Sequence, residues 1–212
     1  MRQVLNRLRG FFAASLRQSW HVYLAVLTVF VSGVAAGVYG VEKMGAEQMQ
    51  ELGGYVARFL QQAGLIEVDY QAVLKSALYN DLIVILAVYA LGLTVIGIPV
   101  MLGIIFLRGF TLGFAVSFLA GQKNLQGIIL VCAAVLPQNL LFVPALLMGG
   151  VASLSFAIIL ARRFFNSRVA VWPGFVAYSG LTVLIAACSA CAGLVEVYFT
   201  PLAVKLAAGY FF

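Results

Sequence analysis

The sequence has few charged residues, a single histidine and three cysteines, and each shortage excludes a class of protein. Charged residues make up 9% of the 212 positions, against about 25% in ordinary globular domains. The chain therefore cannot cover a water-soluble fold with a charged surface. An apolar share of 64% and a mean hydropathy of +1.06 also exclude disordered, collagenous and disulfide-stapled proteins. The sequence predicts an all-α integral membrane protein, with residues 1–212 forming a single polytopic membrane domain.

Residues suited to catalysis or metal binding are equally scarce. His21 is the only histidine, which excludes histidine-rich metal sites, H-E-x-x-H proteases and a Ser–His pair deep in the membrane. No glycine-rich phosphate-binding motif occurs. Cys188-x-x-Cys191 lies in an apolar stretch without a second pair or a nearby histidine, which disfavours a redox or metal site. We expect no catalytic residues, no cofactor, no metal and, because the basic residues flank apolar runs, no nucleic acid partner.

The charges that are present divide the chain between the two sides of a membrane. Residues 1–20 contain four arginines and no acid, and a second basic cluster lies at 162–168. Residues 42–81 hold six acidic residues against three basic ones. Because basic segments beside membrane spans stay in the cytoplasm, the amino terminus and the 162–168 loop are predicted to be cytoplasmic. The 42–81 segment is then extracytoplasmic in a multi-pass protein of the cell membrane.

The amino-terminal fifth of the chain is predicted to contain two helices. Residues 4–17 have apolar positions at helical spacing and arginines elsewhere, which is typical of an amphipathic helix lying on the lipid of the inner leaflet. Val22–Val41 is apolar and long enough for the first span. Within it, Gly33-x-x-x-Gly37 allows another helix to approach closely.

The acidic outer segment contains the periodicity of an amphipathic helix at 46–63. Its apolar face is a candidate surface for binding extracytoplasmic partners. The residues of that face are Met49, Leu52, Val56, Phe59 and Leu60. Asp69 can cap the helix that leads into the second span.

The apolar region 82–160 must begin outside and end inside, so it crosses the membrane an odd number of times. Three crossings fit, at about 80–99, 100–121 and 140–161. Residues 125–138 are predicted to form a half-helix or a re-entrant segment, joined to the third crossing at a proline break.

A last span at about 173–195 completes five crossings, with residues 82–195 as the main transmembrane bundle. The tail at 196–212 then lies at the outer face, and the carboxyl terminus is extracytoplasmic. Small residues at 186–193 offer close-packing faces that make a homodimer a plausible assembly.

Three charged residues of the bundle are candidates for a structural or functional role. Arg108 is either a membrane-surface residue beside a tight turn at Gly109 or a charge inside the bundle, and an intramembrane arginine is a functional-site hypothesis by default. Asp81 and Glu196 each lie where a span meets the outer face. They are either ordinary interfacial acids or part of a docking surface, and both are candidate partners of Arg108.

A proline-rich polar cluster provides the remaining candidates. Pro137, Gln138 and Asn139 are followed by Pro144. The two amide side chains are expected to bond backbone groups that a proline break leaves without partners. Substrate contact is the alternative role.

Over almost its whole length the sequence resembles the stage II sporulation protein M family. Where a wider set of related membrane proteins carries His-Gly after the proline and Glu before the next one, this chain has Gln138, Asn139 and Phe142, which resembles the sporulation branch. The segments that carry the resemblance are Ile98-Pro99, Phe106-Leu107-Arg108-Gly109, Gly113-Phe114, Ser117-Phe118-Leu119, Leu136-Pro137-Gln138-Asn139-Leu140-Leu141 with Pro144, and Leu194-Val195-Glu196-Val197-Tyr198-Phe199-Thr200-Pro201.

The resemblance implies a non-enzymatic membrane scaffold. Proteins of this family are expected at the sporulation septum, in the engulfing mother-cell membrane. There they help to localise two peptidoglycan hydrolases, stage II sporulation proteins P and D, for septal wall thinning and engulfment. The residues themselves leave a second function open, that of a transporter or permease-like subunit paired with an ATPase, because Arg108 and a re-entrant segment would suit one.

Overall fold

The computed structural model describes residues 20–63, 70–122, 131–132, 135–165 and 171–209. Within these ranges the chain is helical and contains no strand, which confirms the all-α prediction. The amphipathic helix predicted at 4–17 and the capping residue Asp69 lie outside the described residues. The helices are α1 (Trp20–Glu42), α2 (Ala46–Ala63), α3 (Tyr70–Gly92), α4 (Ile98–Gln122), α5 (Leu136–Phe165) and α6 (Trp172–Gly209).

Five of these helices, α1 and α3 to α6, are long and apolar enough to cross a membrane. The predicted number of spans is therefore confirmed, as are the three crossings between 82 and 160. The helix predicted at 46–63 is present as α2, whose polar and apolar residues are segregated to opposite faces.

The boundary between the second and third spans lies earlier than predicted. A tight turn at Leu93–Gly97 separates α3 from α4, whereas the sequence placed the break near residue 99. The amide of Gly97 donates to both the carbonyl and the hydroxyl of Thr94, and a Cβ at Gly97 would overlap the carbonyl of Leu91. Pro99 stands in the first turn of α4, where its missing N–H leaves no hydrogen bond unmade.

The predicted proline break within 138–140 is wrong, because α5 runs without interruption from Leu136 to Phe165. Pro137 is in the first turn, where proline is well tolerated. Pro144 is inside the helix, so the carbonyl of Leu140 lacks its usual amide donor. The half-helix or re-entrant piece was expected at 125–138; of these residues, 125–130 and 133–134 lie outside the described residues, 131–132 are helical, and 136–138 belong to α5.

The last helix is longer than the predicted span at 173–195. Its apolar, membrane-crossing portion is Trp172–Tyr198, and the helix continues through Pro201 to Gly209. The tail is thus helical up to that residue, and its position at the outer membrane surface stays a prediction.

Helices α1 and α4 lie side by side and parallel, with their backbones in direct contact. A Cβ added at Gly33 or Gly37 would overlap the backbone of Phe106 or Phe110, and one added at Gly109 would overlap the carbonyl of Phe30. Gly113 meets Val34 in the same way. The close crossing predicted from Gly33-x-x-x-Gly37 is confirmed, and its counterpart is Gly109-x-x-x-Gly113.

The other spans surround a common apolar core. Its most buried members include Val26, Ile85, Met101, Ile105 and Leu146, one or more from each of α1, α3, α4 and α5. The alternating direction of the spans brings the start of α3, the end of α4 and the start of α5 to one end of the bundle. We call this the α2 end, since α2 connects α1 to α3 there.

Candidate functional site

Four polar side chains from four different spans meet inside the bundle, toward its α2 end. Asp81 of α3 and Arg108 of α4 form an ion pair, with Oδ1 and Nη2 3.7 Å apart. The amide nitrogen of Gln138, on α5, donates to Asp81 Oδ2 at 3.2 Å and to Glu196 Oε2 of α6 at 2.6 Å. We call these four residues the polar cluster.

The helix geometry explains why residues so far apart in sequence converge. Asp81 lies about 10 Å into the span that begins at Leu74, at ~1.5 Å of rise per residue. Gln138 is in the first turn of α5, and Glu196 is close to the end of the apolar part of α6. Because α5 runs antiparallel to α6, a single amide at the start of one reaches a carboxyl near the end of the other.

Asp81 is the most buried member of the cluster, with 1% of its side chain exposed. Burying an ionised carboxylate costs several kcal/mol unless partners compensate. Arg108 and Gln138 supply that compensation, although Oδ1 of Asp81 accepts no hydrogen bond within the described residues. Asp81 is therefore not an exposed acid but a buried partner of Arg108.

Arg108 lies in the middle of α4, so of its two expected placements the charge inside the bundle is correct. Gly109 forms no turn and instead packs against α1. The guanidinium carbon lies 4.9 Å from the centre of the Phe142 ring, a cation–π distance. The side chain keeps 29% of its surface exposed, which distinguishes it from its buried partner.

The exposed part of Arg108 faces an open cleft of about 220 Å³ between α4 and α5. Four of its lining residues are polar and six are apolar. The residues that line it are Arg108, Thr111, Leu112, Ala115, Val135, Gln138, Asn139, Phe142, Val143 and Leu146.

The proline-rich segment was expected to place two amides on free backbone groups; one of them bonds a backbone carbonyl, which also accepts the backbone amide of Asn139. Asn139 Nδ2 donates to the carbonyl of Val135 at 2.7 Å, just before α5 begins. Gln138 instead bonds the two carboxylates. Pro137 lies in the first turn of α5 and Pro144 inside the helix.

A second polar network, which was not predicted from the sequence, joins α3, α5 and α6 nearer the opposite end of the bundle. The Tyr178 hydroxyl donates to the carbonyl of Tyr89 at 2.9 Å, and its oxygen lies 2.7 Å from Ser153 Oγ. Ser153 donates to the carbonyl of Val88 at 3.0 Å. The hydroxyl groups of this network form hydrogen bonds to neighbouring helices, so we assign the network a structural role. Isolated hydroxyl residues in apolar helices are the feature that would have identified it.

The candidate partner-binding face lies on α2. Met49, Leu52 and Val56 are half-buried, whereas the side chains of Phe59 and Leu60 lie outside the described residues. Among the described helices α2 has no extended packing partner. No group of three or more His, Cys, Asp and Glu side chains that could hold a metal occurs in the described ranges.

Comparison with known proteins gives one match. The model of the family described as stage II sporulation protein M matches residues 26–201, a region that contains α2 and all four members of the polar cluster. The chain matches no curated protein and no solved structure.

Proposed function

The chain belongs to the stage II sporulation protein M family of sporulation-related membrane proteins, and from this membership we propose that it is a non-enzymatic scaffold for peptidoglycan hydrolases. It localises them at the sporulation septum, where they thin the septal wall during engulfment. The proposed partners are stage II sporulation proteins P and D.

The observation that carries the proposal is the amphipathic helix α2, which connects α1 to α3 at one end of the bundle. Its polar and apolar residues are segregated to opposite faces, and Leu52 and Val56 on the apolar face are half-buried. Amphipathic helices commonly bind proteins by laying such a face into an apolar groove. The distribution of basic residues supports a position of this helix on the wall side of the membrane, the side on which wall hydrolases act.

Two aspartates on the apolar face test the proposal. Phe59→Asp with Leu60→Asp adds two charges to the predicted binding face and should abolish co-purification with both hydrolases from detergent-solubilised membranes. Membrane insertion should be unchanged, because α2 is not one of the five apolar spans. Undiminished co-purification would contradict the assignment of this surface.

A matched control adds the same charge to the opposite face of the helix. Helical periodicity places Gln50 and Gln61 on the polar side of α2. Gln50→Asp with Gln61→Asp should leave co-purification intact. Equal loss in both variants would show that the binding responds to net charge and not to the apolar face.

The polar cluster favours a second candidate function, a transporter or permease-like subunit. Ionisable side chains within spans frequently line substrate or ion pathways, and Asp81 and Arg108 both lie within spans. This function predicts an ATPase that co-purifies stably with the protein, or ATP-driven flux in liposomes. Hydrolase binding without either result favours the scaffold.

A further inference from the structure

The cleft beside Arg108 has the chemistry of a lipid site. Its lining combines the Arg108 guanidinium with the apolar side chains of Leu112, Ala115, Val143 and Leu146. A charged group that faces lipid tails is costly, so a cleft of this composition within the spans favours an occupant with both a polar and an apolar part.

The hydrogen-bonding capacity of Arg108 identifies the polar part. A guanidinium carries five N–H donors. Its described partners are Asp81, at an ion-pair distance of 3.7 Å, and the Phe142 ring, and neither is within hydrogen-bonding distance. The N–H groups on the cleft side are therefore available to an oxyanion, and the planar fork of arginine suits phosphate oxygens.

The carboxylates limit which phosphate compound can bind. The polar cluster has two acids and one arginine, so a ligand with net negative charge would meet a surplus of the same sign. Asp81 and Glu196 do not line the cleft. They therefore repel an anionic ligand from a distance and do not block its access to the guanidinium of Arg108. A zwitterionic headgroup brings a phosphodiester to Arg108 and no net charge.

We propose that the cleft between α4 and α5 binds a zwitterionic phospholipid, with its phosphodiester on Arg108 and the upper part of one acyl chain along the apolar walls. The headgroup enters at the first turn of α5, beside Gln138 and Asn139, where that helix begins. The second N–H of Asn139, whose first is given to Val135, is a further donor to the headgroup.

Native mass spectrometry of the full chain in detergent tests the site. Phosphatidylethanolamine should bind in a ratio of one to one, more tightly than phosphatidylglycerol, while inorganic phosphate should not bind. Arg108→Gln should weaken phosphatidylethanolamine binding tenfold or more. Arg162→Gln, which removes the same charge near the opposite end of the bundle, should leave it unchanged.

A second variant protects the test against misfolding of Arg108→Gln. Ala115→Phe fills the apolar wall and leaves the polar cluster untouched, and it too should weaken binding of the lipid. Undiminished binding in both variants, preference for phosphatidylglycerol, or binding of inorganic phosphate alone would each overturn the proposal. A partner transmembrane helix that crosslinks to Ala115→Cys and excludes lipid would also overturn it.

Discussion

The two sides of α4 show two different ways of packing in a membrane. Gly109 and Gly113 bring its backbone into direct contact with α1, whereas Arg108, the next residue along, faces an open cleft toward α5. The first contact is made by residues without side chains and needs no polar partner. On the second side, Arg108 pairs with Asp81 of α3 and lies over the Phe142 ring of α5, and Asp81 depends in turn on Gln138. The first contact should therefore fail when atoms are added, and the second when a partner is removed.

Loss of the arginine should have the largest effect on stability. Arg108→Gln leaves the buried Asp81 without a cation, and breaking a buried ion pair costs ~3–5 kcal/mol. Unfolding by sodium dodecyl sulfate in mixed micelles measures the change. Adding Asp81→Asn should restore most of the loss, since no uncompensated charge then remains. A single variant as stable as the native chain would show that the pair contributes nothing.

Loss of the amide should have the next largest effect. Gln138→Leu removes two hydrogen bonds to carboxyl groups, each worth ~1.5–3 kcal/mol, so we expect a loss of about 3 kcal/mol. In a double-mutant cycle with Glu196→Leu, the combined loss should be smaller than the sum of the single losses, because Glu196 is then not left behind without its donor. Strict additivity would show that the two side chains do not interact.

The contact between α1 and α4 should respond to a single methyl group. Gly113→Ala places a Cβ against the backbone of Val34, and overpacking costs ~1–3 kcal/mol. Gly103→Ala on the same helix meets nothing within 4 Å and is the matched control. It should be neutral or slightly stabilising, since alanine favours helix. Unlike the Arg108→Gln loss, the Gly113→Ala loss should not be recovered by removing a neighbouring polar side chain.

The smallest effect is expected at the start of α5. Asn139→Ala removes the hydrogen bond to the carbonyl of Val135, worth ~0.5–1.5 kcal/mol. Hydrogen exchange of the amides in the first turn of α5 should accelerate more than that of amides near Phe156. A uniform acceleration along the helix would contradict a local role.

The fold was largely predictable from the sequence because most of its helices are specified by residues that are close together in the chain. Apolar length specifies a span, and helical periodicity specifies α2. The turn at Leu93–Gly97 was misplaced because apolar residues continue on both sides of it. The break predicted between 138 and 140 is absent because Pro137 lies in the first turn of α5, where proline is tolerated, and apolar residues on both sides of it do not show where the helix begins.

The candidate site was predictable in its members but not in its arrangement. Asp81, Arg108, Gln138 and Glu196 were each identified as polar residues in or beside apolar spans. Their convergence depends on the order in which the helices pack, which local pattern does not encode. The same limit explains why Gly109 was expected in a turn: its partner, Phe30, is distant in sequence.

The pairing of α1 with α4 also has a consequence for how the protein is made. About 75 residues separate the two glycine pairs, so at roughly 5–20 residues per second a ribosome needs about 4–15 s to produce the second after the first. During that interval the first helix resides in the bilayer without its eventual neighbour. Assembly of this bundle is therefore completed after synthesis of its first span, and anything that occupies Gly33 and Gly37 in the meantime competes with α4.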